Sequence, residues 1–166
     1  MNASLRRGFA SAAVVATMST AALAMAGAAQ ANPIVAAPCG ANDVNVTVRY
    51  NDSGMGHSYW RVVFTSAGGT CVLRGVPTDL VFADDSGRAL PIQQITGSPV
   101  NAEAVTVAPG RPASSLIRTR LEGERQPVAW LSFTLPSEAR GARVTTEWPA
   151  PIAGPISVTE VRPGVE

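Results

Sequence analysis

The amino-acid sequence predicts an all-β fold: an antiparallel immunoglobulin-like β-sandwich of about eight to ten short strands, preceded by a cleaved signal peptide. Three observations carry that reading. Apolar and polar residues alternate with a period of two in many short runs, glycine and proline clusters separate those runs, and nearly all segments beyond residue 31 lack helical 3.6-residue spacing.

Residues 1–31, MNASLRRGFASAAVVATMSTAALAMAGAAQA, open on a short basic front end at Arg6 and Arg7. They continue as an uncharged Ala/Val/Leu/Met-rich stretch and close on the small-x-small end Ala29-Gln30-Ala31. That is the layout of a secretory signal peptide cleaved after Ala31. Arg6-Arg7-Gly8-Phe9 also resembles the twin-arginine export signal, with Leu5 where Ser or Thr is usual, so both export routes stay open. Ser, Thr and Gly dilute the uncharged run and no basic residues follow it, which favours a processed leader over an anchor. No later apolar run approaches the roughly 18–20 residues that cross a bilayer, so no stable membrane span is expected after processing. Pro38 directly before Cys39 spoils a lipid-attachment signal. The expected organisation is a signal peptide over 1–31, a flexible segment over 32–38 and a single sandwich domain over 39–166, a length that suits one core.

The strands follow in order. In DVNVTVRYN, residues 43–51, Val44, Val46, Val48 and Tyr50 alternate with Asn45, Thr47, Arg49 and Asn51. Residues 59–66, YWRVVFTS, set Trp60, Val62 and Phe64 against Tyr59, Arg61, Val63 and Thr65. Further runs cover 71–74, 79–83, 88–93, 104–107, 113–121, 128–135, 142–148 and 156–161. Between them stand turn formers: Gly54-Met55-Gly56, Gly68-Gly69, Gly75-Val76-Pro77, Asp84-Asp85-Ser86-Gly87, Pro109-Gly110 and Gly154-Pro155.

Once Arg6 and Arg7 leave with the signal peptide, 11 arginines face 12 Asp plus Glu, a net charge of −1. No basic excess speaks for nucleic acid or an acidic membrane. Every basic residue is arginine and none is lysine, which suggests a GC-rich bacterial genome. The two cysteines of an exported chain are most simply one disulfide, Cys39 to Cys71. It would close a loop of about 33 residues, worth roughly 3.7 kcal/mol in the chain-entropy model. Neither cysteine belongs to a Cys-x-x-Cys pair, and His57 alone supplies too few soft ligands for a zinc cage.

Gly56-His57 ahead of VVFTS, then GGTCVLRGVP at 68–77 and VTVAPGRPA at 105–113, together resemble a family of exported actinobacterial proteins catalogued only as a domain of unknown function. Its members pair an early cysteine with one in a Cys-x-Leu-x-Gly-x-Pro segment, followed by a Leu/Val-x-Pro-Gly turn, and many are secreted or lipid-anchored. The resemblance spans Cys39 to Leu121. It departs at Ser66, where the family usually has Asn, and at Val76, where an aromatic is common. It implies a secreted immunoglobulin-like sandwich and lends no catalytic residue.

The sequence carries no catalytic motif: no Gly-x-Ser-x-Gly elbow, no phosphate-cradling Gly-x-x-x-x-Gly-Lys loop and no His-Glu-x-x-His. His57 is the one histidine and reads as a strand-end residue. Asp84-Asp85-Ser86-Gly87 reads as a hairpin turn rather than a calcium loop. Glu103, Glu122, Glu124 and Glu147 suit a glycosidase only by residue type. Surface candidates are more concrete. With Leu131 and Phe133 inward, Trp130 points outward with Ser132 and Thr134, unless the strand is buried on both sides. Trp148, before Pro149-Ala150-Pro151, would cap the sandwich end, and Arg118 with Arg120 would form a small basic stripe. The expectation is a non-catalytic module without cofactor or metal, secreted or held in the cell envelope, that binds an envelope or extracellular protein or glycan. The alternatives are a structural or accessory envelope protein and, behind it, a secreted hydrolase.

Overall fold

Alternation becomes architecture through strand pairing. The computed structural model describes residues 36–95, 102–137 and 142–164. The expected signal peptide and residues 32–35 lie outside the described residues. Among the described residues there are eleven strands and no helix. They are β1 (Val44–Gly54), β2 (His57–Ser66), β3 (Cys71–Arg74), β4 (Thr78–Ala83), β5 (Gln94–Ile95), β6 (Ala104–Val107), β7 (Ala113–Arg120), β8 (Trp130–Thr134), β9 (Arg143–Glu147), β10 (Ala153–Val158) and β11 (Arg162–Pro163). One sheet runs β1-β2-β7-β10-β5, with β11 continuing the β7 edge, a second runs β4-β8-β9, and β3 pairs with β6. All pairings between strands are antiparallel except β10 with β5.

The two larger sheets face each other as a β-sandwich across an aromatic core. Phe64 of β2 meets Phe133 of β8 edge-on at 6.1 Å between ring centroids. Trp60 of β2 lies 5.2 Å from Trp148, and Trp148 lies 5.3 Å from Phe82 of β4. Val62, Leu73, Val107, Ile117, Leu131, Ile152 and Ile156 fill the space between at 1% exposure or less. Both indole Nε1 atoms of Trp60 and Trp148 are buried without an acceptor. Their stabilisation therefore comes from ring area and contact, since a buried unsatisfied donor is itself a cost. On one side the sandwich is closed by β1 and β9, where the Thr146 hydroxyl donates to the Val46 carbonyl at 3.0 Å.

The long β1–β2 hairpin turns on Met55 (φ 51°) and Gly56 (φ 77°), with Gly54 opposite His57. Two successive positive φ values are those of the tight turn whose twist suits a hairpin, and Gly56 adopts one without a Cβ penalty. After β4, residues 84–88 form the expected hairpin turn. Asp84 Oδ1 accepts from the Ser86 N–H (3.1 Å), the Ser86 hydroxyl (2.6 Å) and the Arg88 N–H (2.9 Å), while Oδ2 takes the Arg88 guanidinium at 3.1 Å. The chain leaving this turn covers the outer edge of β4: Leu90 N–H donates to Phe82 O, and the Gln94 side-chain amide donates to Leu80 O. A covered edge cannot recruit another chain's strand.

Cys39 and Cys71 are joined, with Cα atoms 4.9 Å apart. Ala37 and Pro38, expected in a flexible lead-in, are instead tied down. Pro38 pairs in parallel with Val72, Val72 N–H donates to Ala37 O, and Cys39 N–H donates to Val72 O. Residues 88–93, expected as a strand, form only the single bridge Ala83 to Ala89, because Pro91 interrupts the row of donors that a ladder needs. Pairing resumes at Gln94–Ile95, now in the other sheet and parallel to β10.

Reducing the disulfide frees a loop whose closure is worth roughly 3–4 kcal/mol. The melting temperature by circular dichroism is expected to fall by roughly 10 °C or more, whereas an unchanged midpoint would show that the bridge contributes nothing. In urea titrations, Trp148→Ala is expected to cost ~3–5 kcal/mol and Trp130→Ala under ~1 kcal/mol; equal costs would contradict the placement of the two rings. The Ser86 hydroxyl and the Arg88 backbone N–H hold the Asp84 carboxyl below its ordinary 3.8, with the Arg88 guanidinium adding to them and burial opposing. The stability this brings is complete above the ordinary value and drains away as pH falls through the lower native one. Asp84→Asn should therefore flatten the acid limb of the stability curve, and superimposable limbs would remove Asp84 from it.

Candidate functional site

The four surface positions drawn from the sequence separate in space. Trp130, 38% exposed, stands on the outer face of the β4-β8-β9 sheet, opposite Ala83 on one side and Glu147 on the other. Trp148 corrects its expected surface position: it is 4% exposed and packed between Trp60 and Phe82. The cause is parity, because Val144, Thr146 and Trp148 all fall on the inward side of β9 and its extension. Arg118 and Arg120 lie on the outer face of the other sheet, so they share no surface with Trp130.

Those two arginines belong to a larger group. Strands β2 and β7 pair without a break from His57 opposite Arg120 to Phe64 opposite Ala113. Trp60, Val62, Phe64, Ile117 and Thr119 point inward, so Tyr59, Arg61, Leu116, Arg118 and Arg120 point outward. Arg49 of β1 lies directly opposite Arg61, Tyr59 lies opposite Arg118, and Arg61 is diagonal to Arg118. Arg49, Arg61, Arg118 and Arg120 thus form a diagonal row across three adjacent strands. From strand spacing and rise, the row spans about 16 Å between backbone positions.

The chemistry of the row is that of a cation array without ion pairs among the described residues, in which Arg61 is held in place. Arg61 Nε and Nη2 donate to Asn51 Oδ1 at 3.0 and 2.6 Å, and Nη1 donates to the Ser114 hydroxyl at 3.3 Å. These acceptors are neutral, so they fix the guanidinium plane while leaving its charge whole. None of the four arginines makes an ion pair with a carboxylate among the described residues, unlike Arg88 with Asp84 and Arg162 with Glu160. One carboxylate, Asp52, stands at the sheet edge opposite Tyr59, and its Oδ1 takes the Ser53 N–H at 2.6 Å. Beyond Arg49 the face dips into a shallow groove of about 310 Å³, lined by Val63, Thr65, Pro109, Gly110 and Pro112 among others.

Arg49 and Arg61 were outward by alternation in the sequence itself. What the sequence does not show is that β7 docks beside β2, which joins them to Arg118 and Arg120. His57 sits at the start of β2 with Nδ1 2.9 Å from the Met55 carbonyl oxygen. Glu103, Glu122, Glu124 and Glu147 lie exposed, Glu103 just before β6, Glu122 and Glu124 in the connection from β7 to β8, and Glu147 at the end of β9. Among the described residues, no three His, Cys, Asp or Glu side chains come together as a metal site would require.

No curated protein and no solved structure matches the chain. A family model does, over residues 39–162, which takes in both cysteines and every strand from β1 to the first residue of β11. The chain belongs to the family described as domain of unknown function (DUF4232).

Proposed function

We propose that the protein is a non-catalytic binding module, exported to the cell envelope or the extracellular space of an actinobacterium, that presents the outer face of its larger sheet to an envelope component. The observation that carries this reading is the row Arg49, Arg61, Arg118 and Arg120, four guanidinium groups on one sheet face with no carboxylate paired to any of them among the described residues. Unneutralised charge of one sign on a rigid surface raises the local concentration of a partner of opposite sign and sets its orientation. The chain from Asn32 onward is close to neutral, so the row is a local feature rather than a consequence of overall basicity. Export is supported by the leader-like residues 1–31 and by the disulfide, which persists in oxidising compartments.

Co-sedimentation with washed, insoluble cell-envelope fragments tests the reading. The protein without residues 1–31 is expected to pellet with the fragments. Arg118→Gln/Arg120→Gln is expected to remain largely in the supernatant, and Trp130→Ala to behave as the parent. Equal pelleting of the parent and the double variant would remove the arginine face from function. Loss of pelleting in Trp130→Ala alone would move the site to the opposite sheet.

A further inference from the structure

The arginine row also narrows the chemistry of what it binds. We infer that it takes a linear acidic glycan, one that carries carboxylates along an extended chain, laid diagonally across β1, β2 and β7. This rests on the binding-module reading and adds the ligand class.

The row steps across from β1 to β2, diagonally on to β7 and then along β7. Its members sit at cross-strand and diagonal positions of one continuous ladder, so their spacing is fixed by backbone hydrogen bonds rather than by loop geometry. Neighbouring backbone positions in the row lie roughly 5–8 Å apart by strand spacing and rise, so a chain that carries carboxylates at intervals can meet several guanidinium groups at once. Arginine suits carboxylates because its planar fork donates two parallel hydrogen bonds, and no lysine occurs in the chain. Arg61 is already oriented by Asn51 and Ser114, so less side-chain freedom is lost there on binding. Tyr59 stands within the row opposite Arg118 and offers a partly exposed ring with a hydroxyl, a surface on which a sugar face can lie.

Other occupants fit less well. A protein partner usually needs a buried apolar or aromatic anchor at the centre of its interface, and the large exposed apolar residues Tyr50, Val81, Ile95 and Trp130 fall outside the row. A membrane needs apolar side chains to insert. Among the described residues, Met55, 97% exposed, is the large apolar side chain at the tip of the β1–β2 hairpin.

The test uses polygalacturonate as the probe and the protein without residues 1–31, by isothermal titration calorimetry. Dextran serves as the neutral glycan, and vesicles of phosphatidylglycerol serve as the acidic membrane. Polygalacturonate is expected to bind with an affinity that weakens as salt is raised, since exposed charges are screened beyond about 10 Å at 0.1 M. Dextran is expected not to bind. Arg118→Gln/Arg120→Gln is expected to lose about ten-fold or more, the scale of two exposed charge-assisted contacts, while keeping the parent's melting temperature because both side chains are exposed. Arg61→Lys keeps the charge but not the fork held by Asn51 and Ser114, and a drop of about three-fold or more is expected, while an unchanged affinity would overturn the part assigned to the Arg61 fork. Equal affinity of the double variant and the parent for polygalacturonate overturns the assignment, as does binding to the vesicles with none to the polymer. Envelope pelleting that depends on Arg118 and Arg120, joined with no binding of polygalacturonate, would overturn the ligand class and leave the binding-module reading standing.

Discussion

The eight-residue register between β2 and β7 is the constraint on which the rest of the molecule depends. It joins strands more than 45 residues apart in the chain, from His57 opposite Arg120 to Phe64 opposite Ala113, and commits each side chain to one of two faces. A slip of one residue would invert one strand against the other, turning Phe64 of β2 or Ile117 of β7 to solvent and bringing Arg61 or Arg118 into the core. Removing a guanidinium from water without a partner costs several kcal/mol, so the core and the basic face specify each other. The arginine row is therefore a consequence of the packing that makes the sandwich, which is why its backbone positions are fixed.

A second constraint acts at the end of the sandwich that holds the disulfide. The β3–β6 pair is two strands of four residues, too small to be stable alone. It is held because Cys71 is bonded to Cys39, Pro38 and Cys39 pair along Val72, and the Ser137 hydroxyl donates to the Cys39 carbonyl at 2.9 Å. Leu73 and Val107 from this pair then reach the common core at full burial. Covalent chemistry thus supplies what two short strands cannot.

Much of this was legible in the sequence, and the exceptions have specific causes. Strands β3 and β6 were read to the residue, and the others whose pattern alternates cleanly were read to within a few residues at each end. The reading failed at residues 88–93, where Leu90 and Ile92 alternate as a strand would, because Pro91 removes a donor that period-two counting does not see. It missed β11, two residues including Pro163, which exists only because β10 leaves the β7 ladder and space opens beside Ser114 and Ala113. Trp148 was misplaced although Val144 and Thr146 already gave its parity, since the prolines after it suggested an end cap. Half of the arginine row was found and half was not, because strand order is a long-range property set by the core. In the sequence Arg61 is separated from Arg118 by 57 positions; in the sheet they are diagonal neighbours.

The central claim is that the register-determined outer face of the larger sheet is the binding face. Amide chemical-shift mapping by NMR during titration with polygalacturonate addresses it most directly, since it reads every backbone position at once. The account predicts perturbations confined to Arg49, Tyr59, Arg61, Arg118, Arg120 and their immediate strand neighbours, with Trp130 and Val81 unmoved. Perturbations centred on Trp130 and the β4-β8-β9 sheet, with the arginine row silent, would contradict it.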